Sequence, residues 1–155
     1  MAELLPVESA VQVEQARELI LQYARELNVD LCFQNFQVEL DTLPGEYSPP
    51  GGRLLLCRCR GEAVGCVALR GRDEEACEMK RLYVRPGHRR RGIGRDLAEA
   101  VIAAAREIGY GRMVLDTLAR LAPAMAMYES LGFRRTEPYY HNPIEDTVFL
   151  ELALR

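Results

Sequence analysis

The sequence has no tryptophan and only one lysine, Lys80, so arginine supplies 19 of its 20 lysine and arginine residues. A bias this strong is typical of genome composition. A single arginine is therefore weak evidence of function, whereas a cluster of arginines is informative. The sequence also has no hydrophobic run long enough to span a bilayer, and residues 1–6 lack the basic start of a signal peptide. These absences predict a cytoplasmic protein with no membrane partner.

The usual signals for metal and nucleic-acid binding are missing as well. The five cysteines are odd in number and none stands in a CxxC pair, so we expect no structural zinc site and no bound metal. We interpret these cysteines as small buried residues in a reducing compartment. The formal net charge of −3 argues against nucleic acid as a partner, because that function normally needs a basic face.

Length and composition predict one domain, 1–155, because 155 residues with 48% hydrophobic content can bury a sizeable core. Helices are predicted for 9–28, 33–40, 92–108 and 123–131, and strands near 4–7, 53–60, 63–69, 76–84, 113–115, 133–136 and 147–152. Three successive strands, 53–60, 63–69 and 76–84, favour an antiparallel meander. Because a long helix separates strands 76–84 and 113–115, these two are predicted to be parallel.

The most informative segment runs from residue 78 to residue 95. Residues 78–84 have the composition of a strand, 85–91 form a turn rich in arginine, and Gly92-Ile93-Gly94 opens a helix. The first turn of a helix has unpaired N–H groups and a partial positive charge, and glycine lets an anion approach the backbone closely. The segment therefore predicts a phosphate site, with a solvated basic loop as the alternative.

Two separated motifs make the chain resemble the GNAT superfamily of N-acetyltransferases. Arg89-Arg90-Arg91-Gly92-Ile93-Gly94 fits the acyl-CoA signature Q/R-x-x-G-x-G/A, between a strand and a long helix. Ala126-Met-Tyr128-Glu-Ser-Leu-Gly-Phe133 matches the later Y-E-x-x-G-F segment of that family. The first motif alone is a weak pattern, and the two at this spacing are a strong one. The resemblance implies an α/β (α+β) fold with a mixed, twisted sheet of about seven strands and flanking helices.

The resemblance also implies acetyl-CoA as co-substrate and assigns residues to it. The pantetheine arm is expected along the backbone of Leu82, Tyr83 and Val84, and Thr117, beside Asp116, is expected to contact CoA or a cationic acceptor. The N–H group of Leu82 is expected to stabilise the developing oxyanion. The pyrophosphate is expected to bind the loop and helix start, formed by Arg89, Arg90, Arg91, Gly92, Ile93, Gly94 and Arg95.

Two side chains are candidates for proton transfer. In the family, the tyrosine that Tyr128 matches protonates the departing CoA thiolate, and a neutral hydroxyl at pH 7 suits that role. Some relatives carry a general-base glutamate at the position of Glu78. Strand alternation is expected to place Glu78, Lys80, Leu82 and Val84 on one face. The alternatives are a tyrosine packed on the sheet and a surface glutamate paired with Lys80 or an arginine.

The acceptor is the least defined partner. We expect acetyl transfer to a primary amine, of a small molecule, by direct attack in a ternary complex. A protein or peptide N-acetyltransferase, a non-catalytic acyl-CoA-binding regulatory module and a nucleotide-phosphate sensor remain alternatives, and a homodimer is a possible assembly. The segment Tyr139-Tyr140-His141-Asn142 is either a lining of the acceptor pocket or a simple hairpin tip, and His88 is expected near the phosphates.

Overall fold

The computed structural model describes residues 2–155, apart from the side chain of Phe33. The helices and strands follow the predicted order. They are β1 Ala2–Pro6, α1 Ala10–Leu27, α2 Phe36–Thr42, β2 Arg53–Cys59, β3 Glu62–Gly71, β4 Ala76–Val84, α3 Ile93–Ile108, β5 Arg112–Leu118, α4 Ala122–Ser130, β6 Arg134–Arg135 and β7 Thr147–Ala153. Strand β6 is shorter than predicted.

All seven strands form one mixed sheet, in the order β1-β2-β3-β4-β5-β7-β6. Strands β4 and β5 are parallel, and every other neighbouring pair is antiparallel. Helix α3 connects the parallel pair, since strands that run the same way need a long crossover. The predicted α/β architecture is confirmed, and β4 is a central strand.

The ends of the long helices are set by local residues. Ser9 and Gln12 form the predicted capping box at the start of α1, and Asn28 ends that helix in the left-handed conformation. The predicted helix over 33–40 is instead divided. A single 3₁₀ turn, Cys32–Gln34, is followed by Asn35 with φ of 56°, and α2 starts after it. Asparagine tolerates this backbone conformation, so the chain can turn there.

Two hydrophobic cores lie on opposite faces of the sheet. Helix α3 buries one stripe against the first face, where Leu97, Val101 and Met113 are fully covered. Helices α1 and α2 cover the other face, where Leu19, Ile20 and Leu56 are fully buried. Since both faces are covered, the central strands are buried on two sides and can hold charged groups only where these find partners.

A β-bulge interrupts β4 at its middle. Cys66 pairs with Tyr83 and Ala68 pairs with Lys80, so two residues of β4, Arg81 and Leu82, stand opposite a single residue of β3. Arg81 adopts a positive φ of 59° there. The bulge reverses the alternation of side chains beyond it.

The prediction of one common face is therefore wrong for the set Glu78, Lys80, Leu82 and Val84. Lys80 contacts Gln34 on the α2 side, whereas Leu82 and Val84 pack against the core on the α3 side. Because the bulge adds one residue to β4, the side chains of Leu82 and of the residues after it point to the face of the sheet opposite to the one expected.

Candidate active site

A slot opens where β4 and β5 part. The two strands pair only at Ala76–Arg112, Cys77–Met113 and Glu78–Val114, although β4 continues for six more residues and β5 for four. Residues of both strands line the cavity between them, together with residues from α4 and from the segment that joins α1 to α2. Its lining includes Met79, Lys80, Leu82, Asp116, Thr117, Leu118, Tyr128 and Asn142.

The second half of β4 presents backbone to this slot. Among the described residues, no main-chain group of 79–84 pairs with β5. The predicted CoA residues Leu82 and Val84 lie partly exposed along this edge, whereas the side chain of Tyr83 is buried on the α1 face, where its hydroxyl donates to Glu26. An extended ligand can therefore pair with the backbone at this edge as an additional strand would.

The arginine-rich loop leads from β4 into the start of α3. Gly92 is the N-terminal cap of α3 with φ of 81°, and no side chain caps the first turn. Its N–H groups are therefore available to an anion. A Cβ at Gly94 would lie 3.8 Å from Val84 Cγ2 and 4.0 Å from Met127 Sδ, so the protein itself leaves room there.

The arginines of this loop fall into two groups. Arg90 and Arg91 are exposed, and neither side chain forms a hydrogen bond or ion pair in the described part of the chain. Arg89 donates to the carbonyl of Val84 and pairs with Glu26, and Arg95 donates to the hydroxyl of Ser130. The first two are therefore free to bind a phosphate, whereas the other two also hold the loop and α3 in place.

Tyr128 lies in α4 and reaches the slot from the α3 side. It is buried and packs edge-on against Phe133, with ring centroids 5.6 Å apart. Within residues 2–155 its hydroxyl forms no hydrogen bond. Burial raises the pKa of this hydroxyl, so it stays protonated at neutral pH. The position and protonation state of Tyr128 suit a proton donor.

Glu78 stands where the two strands begin to part, and it is fully buried. Its carboxylate accepts from Arg70 Nε at 2.9 Å and from the hydroxyl of Tyr139 at 2.6 Å, with Arg72 at 3.6 Å. Burial raises its pKa, but the charges of Lys80 and Arg70 and the hydrogen bonds from Tyr139 and Arg70 outweigh burial and lower it overall. A carboxylate held in this way is a weak base, and its contacts fix the neighbouring arginines.

Several residues around Glu78 had no signal in the sequence. Arg81 is buried and its guanidinium bonds both oxygens of Glu39, at 2.8 and 2.7 Å, which ties α2 to β4. Gln34 bonds the hydroxyl of Tyr140 and accepts from Lys80 Nζ at 3.3 Å. These partners are distant in sequence, so only the fold brings them together.

The segment after β6 is bonded to both strands of the slot. Tyr140 and Asn142 both donate to Asp116 at the end of β5, and Tyr139 donates to Glu78. His141 is exposed and lies outside the slot lining. Three of the four residues in this predicted segment therefore build the site, and His141 does not.

Cys77 lies in the core on the α3 side, and burial raises the pKa of its thiol to about 12, so it is a poor nucleophile. The described residues contain no cluster of three or more His, Cys, Asp or Glu side chains suited to a metal ion. No helix within residues 2–155 is both long and apolar enough to cross a membrane.

Comparison with known proteins agrees with this geometry. The model of the acetyltransferase (GNAT) family matches residues 15–133. An uncharacterized N-acetyltransferase of Schizosaccharomyces pombe is 45% identical over 138 residues, which cover 88% of this chain and 85% of that protein. A GNAT-family acetyltransferase of Staphylococcus aureus superposes with a TM-score of 0.84 at 21% identity over 100% of both chains. An acetyltransferase of Salmonella typhimurium solved with acetyl-CoA superposes with a TM-score of 0.70 at 20% identity, over 99% of this chain and 94% of that one.

Proposed function

Because the chain belongs to the acetyltransferase (GNAT) family, we propose that it transfers the acetyl group of acetyl-CoA to the primary amine of a small molecule, by direct attack in a ternary complex. The observation that supports this most is the parting of β4 and β5 after Glu78, which leaves backbone groups of β4 facing a slot. The segment 139–142 closes over the acceptor side, which favours a small acceptor over a protein chain. Cytoplasmic location and a homodimer stay predictions from the sequence.

The loop and the slot hold complementary parts of acetyl-CoA in this proposal. The pyrophosphate binds the N–H groups at the start of α3, with Arg90 and Arg91 as additional donors. The pantetheine arm pairs with the backbone of 82–84, and its thioester reaches the slot between the strands. Thr117 contacts the same arm from β5.

The reaction then needs few side chains. The amine nitrogen attacks the thioester carbon, and the N–H group of Leu82 stabilises the oxyanion that forms. The C–S bond breaks as the intermediate collapses, and Tyr128 donates its proton to the CoA thiolate. Glu78 acts through Arg70, Arg72 and Tyr139, whose positions it fixes. Water takes the proton from the ammonium group, and a proton from water restores the hydroxyl of Tyr128.

The variant Gly94→Ala tests CoA binding at the start of α3. The added methyl group meets only ordinary van der Waals contacts in the protein, and alanine is favoured over glycine in a helix by roughly 0.5–1 kcal/mol. The folded chain should therefore keep or gain stability, while the methyl group obstructs the phosphates. We expect the Kd for acetyl-CoA, measured by titration calorimetry, to rise about tenfold or more.

The matched control is Gly87→Ala, in the same loop, where a Cβ meets nothing within 4 Å. Its affinity for acetyl-CoA should match that of the original chain. Equal affinities for all three proteins would contradict the placement of the pyrophosphate. Binding of acetyl-CoA without thiol release, across a broad panel of amines, would favour the non-catalytic acyl-CoA-binding module.

A further inference from the structure

A second cavity adjoins the slot on its acceptor side, and we call it the vestibule. It is lined by Gln34, Asn35, Arg70, Arg72, Lys80 and Tyr140. Gln34 and Lys80 line both the vestibule and the slot. A molecule that places its amine in the slot from this side must therefore leave its remaining atoms among the residues of the vestibule.

The charged residues that line the vestibule are all cations. Three of its six lining residues are cations and none is a carboxylate. The carboxylates nearby have other partners, because Glu78 accepts from Arg70 and Tyr139, and Oδ2 of Asp116 accepts from Tyr140 and Asn142. A cationic ligand in the vestibule would meet three cations and no carboxylate among its lining residues.

Lys80 is the clearest unmatched donor. Its side chain is nearly buried, and the residue is 8% exposed. Its ammonium group forms one hydrogen bond, to the neutral amide of Gln34, and no salt bridge with any residue in 2–155. An ammonium group has three N–H donors, so two remain for a ligand. A buried cation without an opposite charge in contact is costly, and a bound anion would offset that cost.

Arg72 faces the same space from the opposite wall. Its guanidinium lies 4.5 Å from the ring centroid of Tyr139 and 3.6 Å from a carboxylate oxygen of Glu78. The stacking on Tyr139 fixes the plane of the guanidinium, and Nη2 donates to the carbonyl of Tyr139 at 3.4 Å. A guanidinium has five N–H donors, so others remain for a ligand. Lys80 on β4 and Arg72 in the turn after β3 thus present donors to one cavity.

We propose that the vestibule binds a carboxylate of the acceptor, so that the acceptor is an amino acid or a similar amine that carries a carboxylate close to its nitrogen. Lys80 and Arg72 bind the carboxylate, and the amine points into the slot toward the thioester. This inference rests on the proposed acetyl transfer and specifies its substrate class.

Matched pairs of acceptors test this directly. The free α-amino acids and their α-amides offer the same side chain and differ in the carboxylate. A hydrogen bond to a charged group contributes about 1.5–3 kcal/mol, so kcat/KM for the better amino acids should exceed that of their amides by about tenfold or more. Amides that react as well as the free acids would overturn the inference and leave the transfer function standing.

The variants at Lys80 locate the effect. Lys80→Met keeps the length of the side chain and removes its charge, so the preference for the carboxylate should fall toward unity, mainly through KM. Lys80→Arg should keep most of the preference. Arg134→Met removes an exposed cation on β6 and should change nothing. A fall in kcat/KM of Lys80→Met that is equal for acids and amides would overturn the proposal. Transfer of the acetyl group to Lys80 itself, detected by mass spectrometry of its peptide, would overturn it as well.

A binding measurement separates this inference from the transfer reaction. N-acetylalanine and N-acetylalaninamide are titrated into the protein saturated with CoA, and their heats are compared. Binding of the acid alone, abolished in Lys80→Met, supports the carboxylate site even if no amine is turned over, in which case the transfer function fails instead. Equal binding of the two compounds, or no binding of either, overturns the carboxylate site.

Discussion

The side of β3 and β4 that α2 covers, called the acceptor face below, and the loop that follows β4 use arginine in opposite ways. On the acceptor face Arg81 and Arg70 are held by carboxylates, and Arg81 is 4% exposed. In the loop Arg90 and Arg91 are exposed, and their side chains form no hydrogen bond or ion pair with the described residues. The first pair keeps a bulged, charged strand in one conformation, whereas the second pair leaves its donors for a ligand. The same side chain is therefore structural where its partner is internal, and the proposed ligand contacts fall where no internal partner is present.

Breaking the internal pair should produce the largest effect on stability. Glu39→Ala leaves the guanidinium of Arg81 buried without its carboxylate, and removing one partner of a buried ion pair costs about 3–5 kcal/mol. The free energy of unfolding, measured with urea, should fall by that order. The control is Glu46→Ala, because Glu46 pairs with Arg70 but its side chain is 69% exposed, and an exposed pair contributes about 0–1 kcal/mol. Equal losses in the two variants would contradict the structural role of Arg81.

The loop could be predicted from the sequence because its residues are contiguous. The turn at 85–91 and the start of α3 show in the local composition, and Tyr128 was assigned through a motif of eight residues. The network on the acceptor face joins Glu39 to Arg81 and Tyr139 to Glu78, across 42 and 61 residues. No periodic pattern relates such distant positions, so only the folded chain reveals these contacts.

The bulge was missed for a different reason. Both faces of β4 are covered, so its buried positions include charged and apolar residues alike. Apolar and polar residues alternate from Cys77 to Lys80, and the adjacent cations Lys80 and Arg81 interrupt that alternation. A single alternation carried through the whole strand places Leu82 on the wrong face. Two adjacent polar residues mark a bulge only when the pairing with β3 is known, and the sequence of β4 alone does not contain that pairing.

Tyr128→Phe should have the next largest effect, and on catalysis only. The hydroxyl has no hydrogen-bond partner in residues 2–155, so its removal leaves no group unpaired. Loss of a positioned proton donor typically costs about 10²–10⁴-fold. We expect kcat to fall by about 10²-fold in steady-state assays of thiol release, with the Kd for acetyl-CoA and the melting temperature unchanged. An unchanged kcat would leave Tyr128 as a packing residue.

The double variant Arg90→Ala/Arg91→Ala tests the proposed role of the exposed arginines in binding acetyl-CoA. Since both side chains are exposed and neither forms a hydrogen bond or ion pair within residues 2–155, the stability of the protein should stay within the usual range for surface changes, about ±0.5 kcal/mol. The Kd for acetyl-CoA should rise about tenfold in calorimetry, because two charge-assisted contacts to phosphate are lost. Its dependence on salt should also weaken. A fall in stability without a change in affinity would reverse the roles assigned to the two arginine groups.

The smallest expected effect is the change with pH in the affinity for a carboxylate ligand. It depends on Lys80, the one described cation on the acceptor face without a carboxylate in contact. Burial lowers the pKa of Lys80 from 10.5 to about 8, and the positive charges of Arg81 and Arg70 add to the lowering. The carboxylates of Glu78 and Asp116 raise this pKa but offset the lowering only in part. N-acetylalanine has no amine and its carboxylate stays ionised, so its affinity should fall as pH rises through about 8, by up to about tenfold per unit. Lys80→Arg should show no such fall.

The same pKa shift has a consequence for folding with a defined sign. Because the pKa of Lys80 is lowered on folding, the unfolded chain binds more protons than the folded chain between about pH 8 and 10.5. The stability contributed by this group therefore rises with pH across that window. Urea unfolding should show the original chain gaining stability relative to Lys80→Met from about pH 8 upward, and a constant difference would mean that Lys80 keeps an ordinary pKa and that the vestibule is wetter than its geometry implies.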